Sequence, residues 1–277
     1  MFYGRSQNFR SAHLRERRRR ALLVRGGVAF IVVAALLGGS VWVARLPSLS
    51  VSTVAVRGAV TVPVADIERT AREQIAGAYL ALFPKSNAAL LPRDEVATAI
   101  LTAFPRIRSV DVARDNLNGL TITVDERTPY ALWCGTARPA DGGDPTGCYF
   151  LDDSGYIFTS APDFSGDVFF RYFGSALEEP INANFLTPGE FAELDLFVRS
   201  ARDVGVKPVS LAVLDAPDAE LHLEGGSKVI FNRQVNLSDV LQNLKSVLES
   251  DVFRARGALE FEYIDLRFGN KIFYKFK

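Results

Sequence analysis

The chain has 277 residues, 48% of them apolar, which suits one or two domains with real cores and excludes a disordered chain. Its formal net charge of zero is a cancellation: residues 1–25 carry eight Arg against Glu16, giving 8 − 1 = +7, and the rest carries 24 − 31 = −7. An acidic body excludes phosphate-driven nucleic-acid binding there, and two histidines (His13, His222) with two cysteines leave little for metal sites or His-dependent catalysis.

The order along the chain is a basic tail at 1–25, an apolar segment at 26–45, a first folded region at 50–127 and a second at 128–277. Residues 26–44, GGVAFIVVAALLGGSVWVA, carry no charge. As a helix they cover about 28 Å, close to a hydrocarbon core of about 30 Å. Trp42 lies near the outer end, where an indole prefers the interface. Arg17, Arg18, Arg19, Arg20 and Arg25 crowd the other side, so the positive-inside rule predicts a cytoplasmic N-terminus and an extracytoplasmic body. A cleaved signal peptide, cut near Gly38-Gly39-Ser40, and a buried helix of a soluble protein are the competing readings. The arginine run also reads as a lipid-binding or nucleic-acid arm, against the simpler role of fixing topology.

In the first region, 51–58 reads as a strand closed by Gly58. Pro63 and Asp66 open a helix in which Ile67, Ala71 and Ile75 recur every four residues, ended by Gly77. Residues 79–83 form a short connection. Pro92 starts a second helix with Val96, Ile100 and Phe104 on one stripe, and Pro105 stops it. Strands at 108–114 and 120–126 flank a turn-rich DNLNG and form a hairpin. The order β-α-α-β-β predicts a small sheet covered on one face by two helices.

In the second region, 149–158 is two strand pieces around an Asp-Ser-Gly turn. Asp152 and Asp153 suit that turn and alternatively read as a catalytic or metal-binding acid pair. Thr187-Pro-Gly-Glu190 is a helix start, followed by Phe191, Leu194, Phe197 (or Val198) and Ala201, with Gly205 at the end. Strands follow at 209–214, 221–223 and 229–231. A helix at 237–248 turns Leu241, Leu244 and Leu248 inward, with Asn236 as its cap or as a glycosylation site. Strands at 261–268 and 271–277, split by Gly-Asn, close the sequence as a hairpin. The whole is α+β: one transmembrane helix, a β-α-α-β-β domain, then a mostly antiparallel β domain with flanking helices.

The strand ending Val56-Arg57-Gly58, the two helices, FPRIRSVDVAR at 104–114 and LTITVDERTP at 120–129 together resemble a POTRA domain. With LDDSG at 151–155, LEGGSKV at 223–229, YIDLRF at 263–268 and the single apolar segment ahead, the chain resembles the FtsQ/DivIB family of bacterial cell-division proteins over about residues 26–277. The insertion between Cys134 and Cys148 departs from that pattern. The resemblance implies a scaffold of the division machinery at the septum of the plasma membrane, without catalysis, cofactor or small-molecule substrate. Its C-terminal strands would bind FtsB- and FtsL-like ectodomains by strand addition. It places Arg267, Phe268, Lys271, Phe273, Tyr274 and Lys275 at the partner surface.

Residues 271–277 also suggest a binding edge by themselves, since a last strand offers free N–H and C=O groups. Edge lysines guarding against aggregation, with Ile272, Tyr274 and Phe276 packing a core, are an equal reading. Cys134 and Cys148 suit a disulfide outside the cytoplasm; free thiols and a redox or metal pair are the alternatives. No G-x-S-x-G, H-E-x-x-H or nucleotide-binding glycine motif occurs in the sequence. A POTRA-bearing transport or assembly factor and a secreted enzyme with a cleaved signal are the other functional classes. An uncleaved anchor predicts that protein from cells keeps its arginines and stays in the membrane pellet after an alkaline carbonate wash. A mature N-terminus near Val41 would refute it.

Overall fold

The structure, a computed structural model, describes residues 10–116, 118–139, 143–166, 168–174, 176–214, 217–256, 260–269 and 271–277, with the backbone alone for 10–16 and 256. The tail before Arg10 and the turn residues Leu117 and Asn270 lie outside the described residues. The protein is α+β, and its contacts divide it into two units. One comprises Met1–Ala103 with Ser109–Val124, the other Phe104–Arg108 with Asp125–Lys277.

The first unit begins with helix α1, Arg10–Ala44. Its 28 residues Arg17–Ala44 form the one helix among the described residues that is long and apolar enough to cross a membrane, and none of it is buried in the protein. After a 3-10 turn at Pro47–Leu49 come β1 (Thr53–Arg57), α2 (Val64–Ile75), β2 (Ala78–Tyr79), β3 (Phe83–Pro84), α3 (Arg93–Ala103), β4 (Ile107–Arg114) and β5 (Gly119–Glu126). The four-residue stripe of α2 is the reason it folds: Ile67, Ala71 and Ile75 are all buried. Val96 and Ile100 of α3 are buried as well, while Phe104, just past its end, is half-buried. The helices pack on each other. The sheet order is β1-β5-β4, and β1 runs parallel to β5, with Val54 opposite Leu120 and Val56 opposite Ile122. The alternation in β5 buries Leu120, Ile122 and Val124.

The second unit adds β6 (Ala131–Trp133), β7 (Tyr149–Leu151), β8 (Ile157–Ser160), β9 (Arg171–Phe173), α4 (Pro188–Asp203), β10 (Pro208–Val213), β11 (Asp218–Leu223), β12 (Lys228–Asn232), α5 (Leu237–Leu248), α6 (Asp251–Arg256), β13 (Phe261–Phe268) and β14 (Lys271–Phe276). The strands form one nine-stranded, mostly antiparallel sheet in the order β14-β13-β12-β11-β10-β9-β6-β7-β8. The neighbours β6/β9, β9/β10 and β12/β13 are parallel; the chain passes through β7 and β8 between the first pair, α4 crosses between the second, and α5 with α6 between the third. Thr187 and Glu190 cap α4 reciprocally, a device contributing about 1 kcal/mol. Phe191, Leu194, Phe197, Val198 and Ala201 then enter the main core, each large side chain contributing about 1.5–3 kcal/mol. In α5 the inward residues are Val240, Leu244 and Leu248, with Leu241 half-buried beside them. A smaller cluster holds Leu132, Cys134, Cys148, Phe173 and Ala212.

Asp195 and His222 are two polar groups of this unit whose surroundings matter. Asp195 of α4 accepts from Tyr130 Oη at 2.8 Å and Tyr172 Oη at 3.3 Å and meets Arg199 Nε at 2.9 Å. His222 on β11 is mostly buried, near Glu220 (3.4 Å). Burial pushes its imidazole down, to about 4; Glu220 pulls the other way and Arg138 and Lys228 reinforce the fall. The unfolded chain therefore binds the extra proton between pH 6.5 and 4. The stabilisation is complete above pH 6.5 and lost as pH falls through that window, at roughly 1.4 kcal/mol per pH unit. Denaturation midpoints should drop from pH 7 to 4.5, and His222→Gln should flatten that slope.

Candidate partner interface

β13 and β14 form an antiparallel hairpin at one end of the large sheet. Registers pair Tyr263 with Lys275, Ile264 with Tyr274 and Asp265 with Phe273. The register shifts between Asp265 and Phe268, and Gly269 turns the chain at φ +65°. β14 has β13 on one side and no strand on the other among the described residues. Its outer edge can accept a further strand.

The six residues expected at a partner surface separate into three kinds. Phe268, Phe273 and Tyr274 are exposed at 54%, 51% and 44%. The rings of Phe268 and Phe273 meet edge-on, 5.3 Å between centroids. Tyr274 lies against Phe253 of α6 at 5.1 Å and against Phe276 at 5.3 Å, so one side of it belongs to the fold. Ile272 and Phe276, on the same alternation, pack against the main core. Lys271 is exposed beside the turn, opposite Phe268. Lys275 is exposed and pairs with Glu262 at 2.5 Å, which raises its pKa.

Arg267 is committed to its own chain. Its Nε and Nη2 donate to Asp265 at 2.9 and 2.6 Å, and its Nη1 donates to Asp218 of β11 at 2.6 Å. Burial pulls the Asp265 carboxyl up, but the bonds from Arg267 outweigh it and hold the group below its usual range. The same two carboxylates, Asp265 first, raise the arginine's own pKa. Sequence reasoning missed this clamp. The signal was present: Asp265 and Arg267 are two apart on a strand and share a face.

The other sequence-derived sites are placed as follows. Arg17, Arg18, Arg19, Arg20 and Arg25 are exposed along α1. Cys134 and Cys148 are bonded to each other, with Cα atoms 4.3 Å apart, inside the smaller core cluster. Asp152 is fully buried in the β7–β8 turn, and its Oδ1 accepts from Ser154 N, Ser154 Oγ and Tyr156 N. Asn236 caps α5, accepting from Ser238 N at 2.9 Å. Among the described residues no three His, Cys, Asp or Glu side chains gather as a metal-binding group.

An α+β protein with one N-terminal apolar helix and a large sheet ending in a strand, β14, that pairs with one strand among the described residues is the class these observations define. No protein-family model matches the chain, and no curated protein matches it.

The two cations of the hairpin should separate in denaturation experiments. Arg267→Glu leaves the buried Asp265 without its partner and should lower stability by at least about 2 kcal/mol. Lys275→Glu removes a solvent-exposed pair and should leave the midpoint unchanged.

Proposed function

We propose that this protein is a single-pass membrane scaffold of the bacterial division machinery, of the FtsQ/DivIB kind, that binds partner ectodomains by strand addition at β14. The carrying observation is the terminal place of β14 at the sheet's edge, paired with β13 alone among the described residues, with Phe268, Phe273 and Tyr274 exposed on and beside it. The YIDLRF motif that carries the resemblance occupies 263–268, the strand on which that edge is built. The apolar helix α1, with its arginines on the N-terminal side, supports an anchor whose body lies outside the cytoplasm. With the two-residue strands β2 and β3 set aside, the order β1-α2-α3-β4-β5 of the first unit supports the POTRA reading. The disulfide suits an oxidising compartment.

Strand addition uses main-chain hydrogen bonds for affinity and side-chain contacts for choice of partner. The exposed aromatics would supply buried anchors of the kind that dominate interface energetics. Lys271 and Lys275 would steer acidic partner segments. Arg267 would act by holding Asp265 and the bulge in place, not by touching the partner.

The test is capture of FtsB- and FtsL-like ectodomains by the full chain in mild detergent. Phe273→Glu and Phe273→Pro should each reduce capture at least tenfold, which is about 1.4 kcal/mol or more, with circular dichroism unchanged. Undiminished capture by both folded variants would remove this surface from consideration.

A further inference from the structure

The β2–β3 hairpin carries an arrangement that the scaffold reading does not use. Tyr79 pairs with Phe83 and Ala78 with Pro84, and Leu82 N donates to Tyr79 O at 3.0 Å. The two residues inside that turn, Leu80 and Ala81, have φ of +50° and +59°. Both angles are positive, as a type I′ turn requires, and Asn-Gly satisfies such a turn without strain. Here an L-residue with a bulky apolar side chain holds one of these positions. Leu80 is 87% exposed, and Leu82 beside it is 47% exposed. In water this tip combines an unfavourable backbone with an unfavourable surface.

The tip is tied to the end of the apolar helix. Arg45 is the first residue after α1, and its guanidinium donates to Leu82 O and Ala81 O, both at 3.2 Å. The buried Asn87 donates through Nδ2 to Ala44 O, the last carbonyl of α1, at 2.9 Å. Ala88 N donates to Leu49 O at 2.8 Å. Phe83 and Leu90 then face Leu36, Gly39 and Val43 of the helix across an open apolar cleft. Leu36 lies eight residues before Ala44, about 12 Å along the axis. The hairpin and the segment after it therefore run alongside the helix, not above its end.

We infer that the β2–β3 tip and the cleft beneath it insert into the leaflet at the Arg45 end of α1, and that lipid acyl chains fill the cleft. This rests on α1 spanning the bilayer. The apolar surface of the cleft is continuous with that of the helix, and Trp42 is exposed at the same end, where an interfacial indole belongs. Lipid removes the apolar tip from water and explains why leucine stands where a turn in water would carry a polar residue or glycine. Arg45 has its guanidinium bonded to the tip's carbonyls, which suits a charge held at the edge of the hydrocarbon.

The chain's two cysteines are bonded to each other, so an introduced cysteine is the only thiol. Leu80→Cys, Leu82→Cys and Leu36→Cys are each labelled with an environment-sensitive fluorophore in the full chain. Each is reconstituted into phosphatidylcholine–phosphatidylglycerol nanodiscs. Labels at 80 and 82 should be quenched by brominated acyl chains and be several-fold less quenched by iodide than the same labels on protein in urea. A label at 36 quenched by bromolipid, with those at 80 and 82 fully open to iodide, overturns this inference and leaves the span intact. All three open to iodide would refute the span itself and the inference with it.

Discussion

Asp152 is the charge on which the second unit's geometry depends. It is fully buried, and its carboxylate accepts from Ser154 N, Ser154 Oγ and Tyr156 N on one oxygen and from Arg108 and Arg127 on the other. Burial alone would push the carboxyl up; the bonds from Ser154, Tyr156 and Arg127 outweigh it and hold the group below its ordinary range. Losing either arginine would leave part of a buried charge uncompensated, a fault that costs several kcal/mol. The guanidinium of Arg127 also lies 3.9 Å above the Tyr156 ring. The turn fixed in this way presents Gly155 at φ +81° against Phe191, where a β-carbon would stand 2.6 Å from the ring. Phe191 in turn seats α4 in the main core. The acid pair of the sequence is thus a structural centre for Asp152, while Asp153 stays exposed and meets Arg108.

From that core the sheet extends to β14, where two demands oppose each other. A free strand edge invites pairing with any chain, and exposed lysines restrain it. β14 carries Lys271 and Lys275 as well as Phe273 and Tyr274. The proposed scaffold role reads this mixture as selectivity: charge discourages copies of the same edge, and the aromatics reward a partner that brings its own apolar row. Arg267 belongs to the fold as well as to that exposed hairpin, since its three side-chain bonds all go to carboxylates of its own chain.

Where periodicity was strong the sequence was legible. α2 and α4 bury the stripes their spacing predicts, the Thr187 cap forms, and β13 has the expected bounds. What escaped notice has a physical reason. β6 and β9 are three-residue strands in the interior of the sheet, and Ala131, Leu132 and Trp133 are all buried, so no alternation marks them. α6 is six residues long, too short to show a stripe, yet it delivers Phe253 to the rings of Tyr274 and Phe276. Asp195 lies outside the apolar stripe expected of α4, and besides Arg199 one turn on, the distant Tyr130 and Tyr172 make its burial tolerable. In α5, Leu244 and Leu248 are buried and Leu241 packs half-buried against the core as expected, and Val240, which the spacing did not single out, is buried beside them. At the candidate interface the strand edge and the Asp265 half of the Arg267 clamp were legible, while its second carboxylate, Asp218, was not, because it lies 267 − 218 = 49 residues away.

The parallel pairing of β1 with β5 has a kinetic consequence. Thr53 sits opposite Gly119, a separation of 119 − 53 = 66 residues, and among the described residues no shorter-range partner strand completes β1. The loop entropy of that closure comes due before the pairing stabilises anything. Two helices and three strands, β2, β3 and β4, must emerge from the ribosome before β1 has its neighbour. Until then Val54 and Val56 are open to chaperones or to the wrong strand.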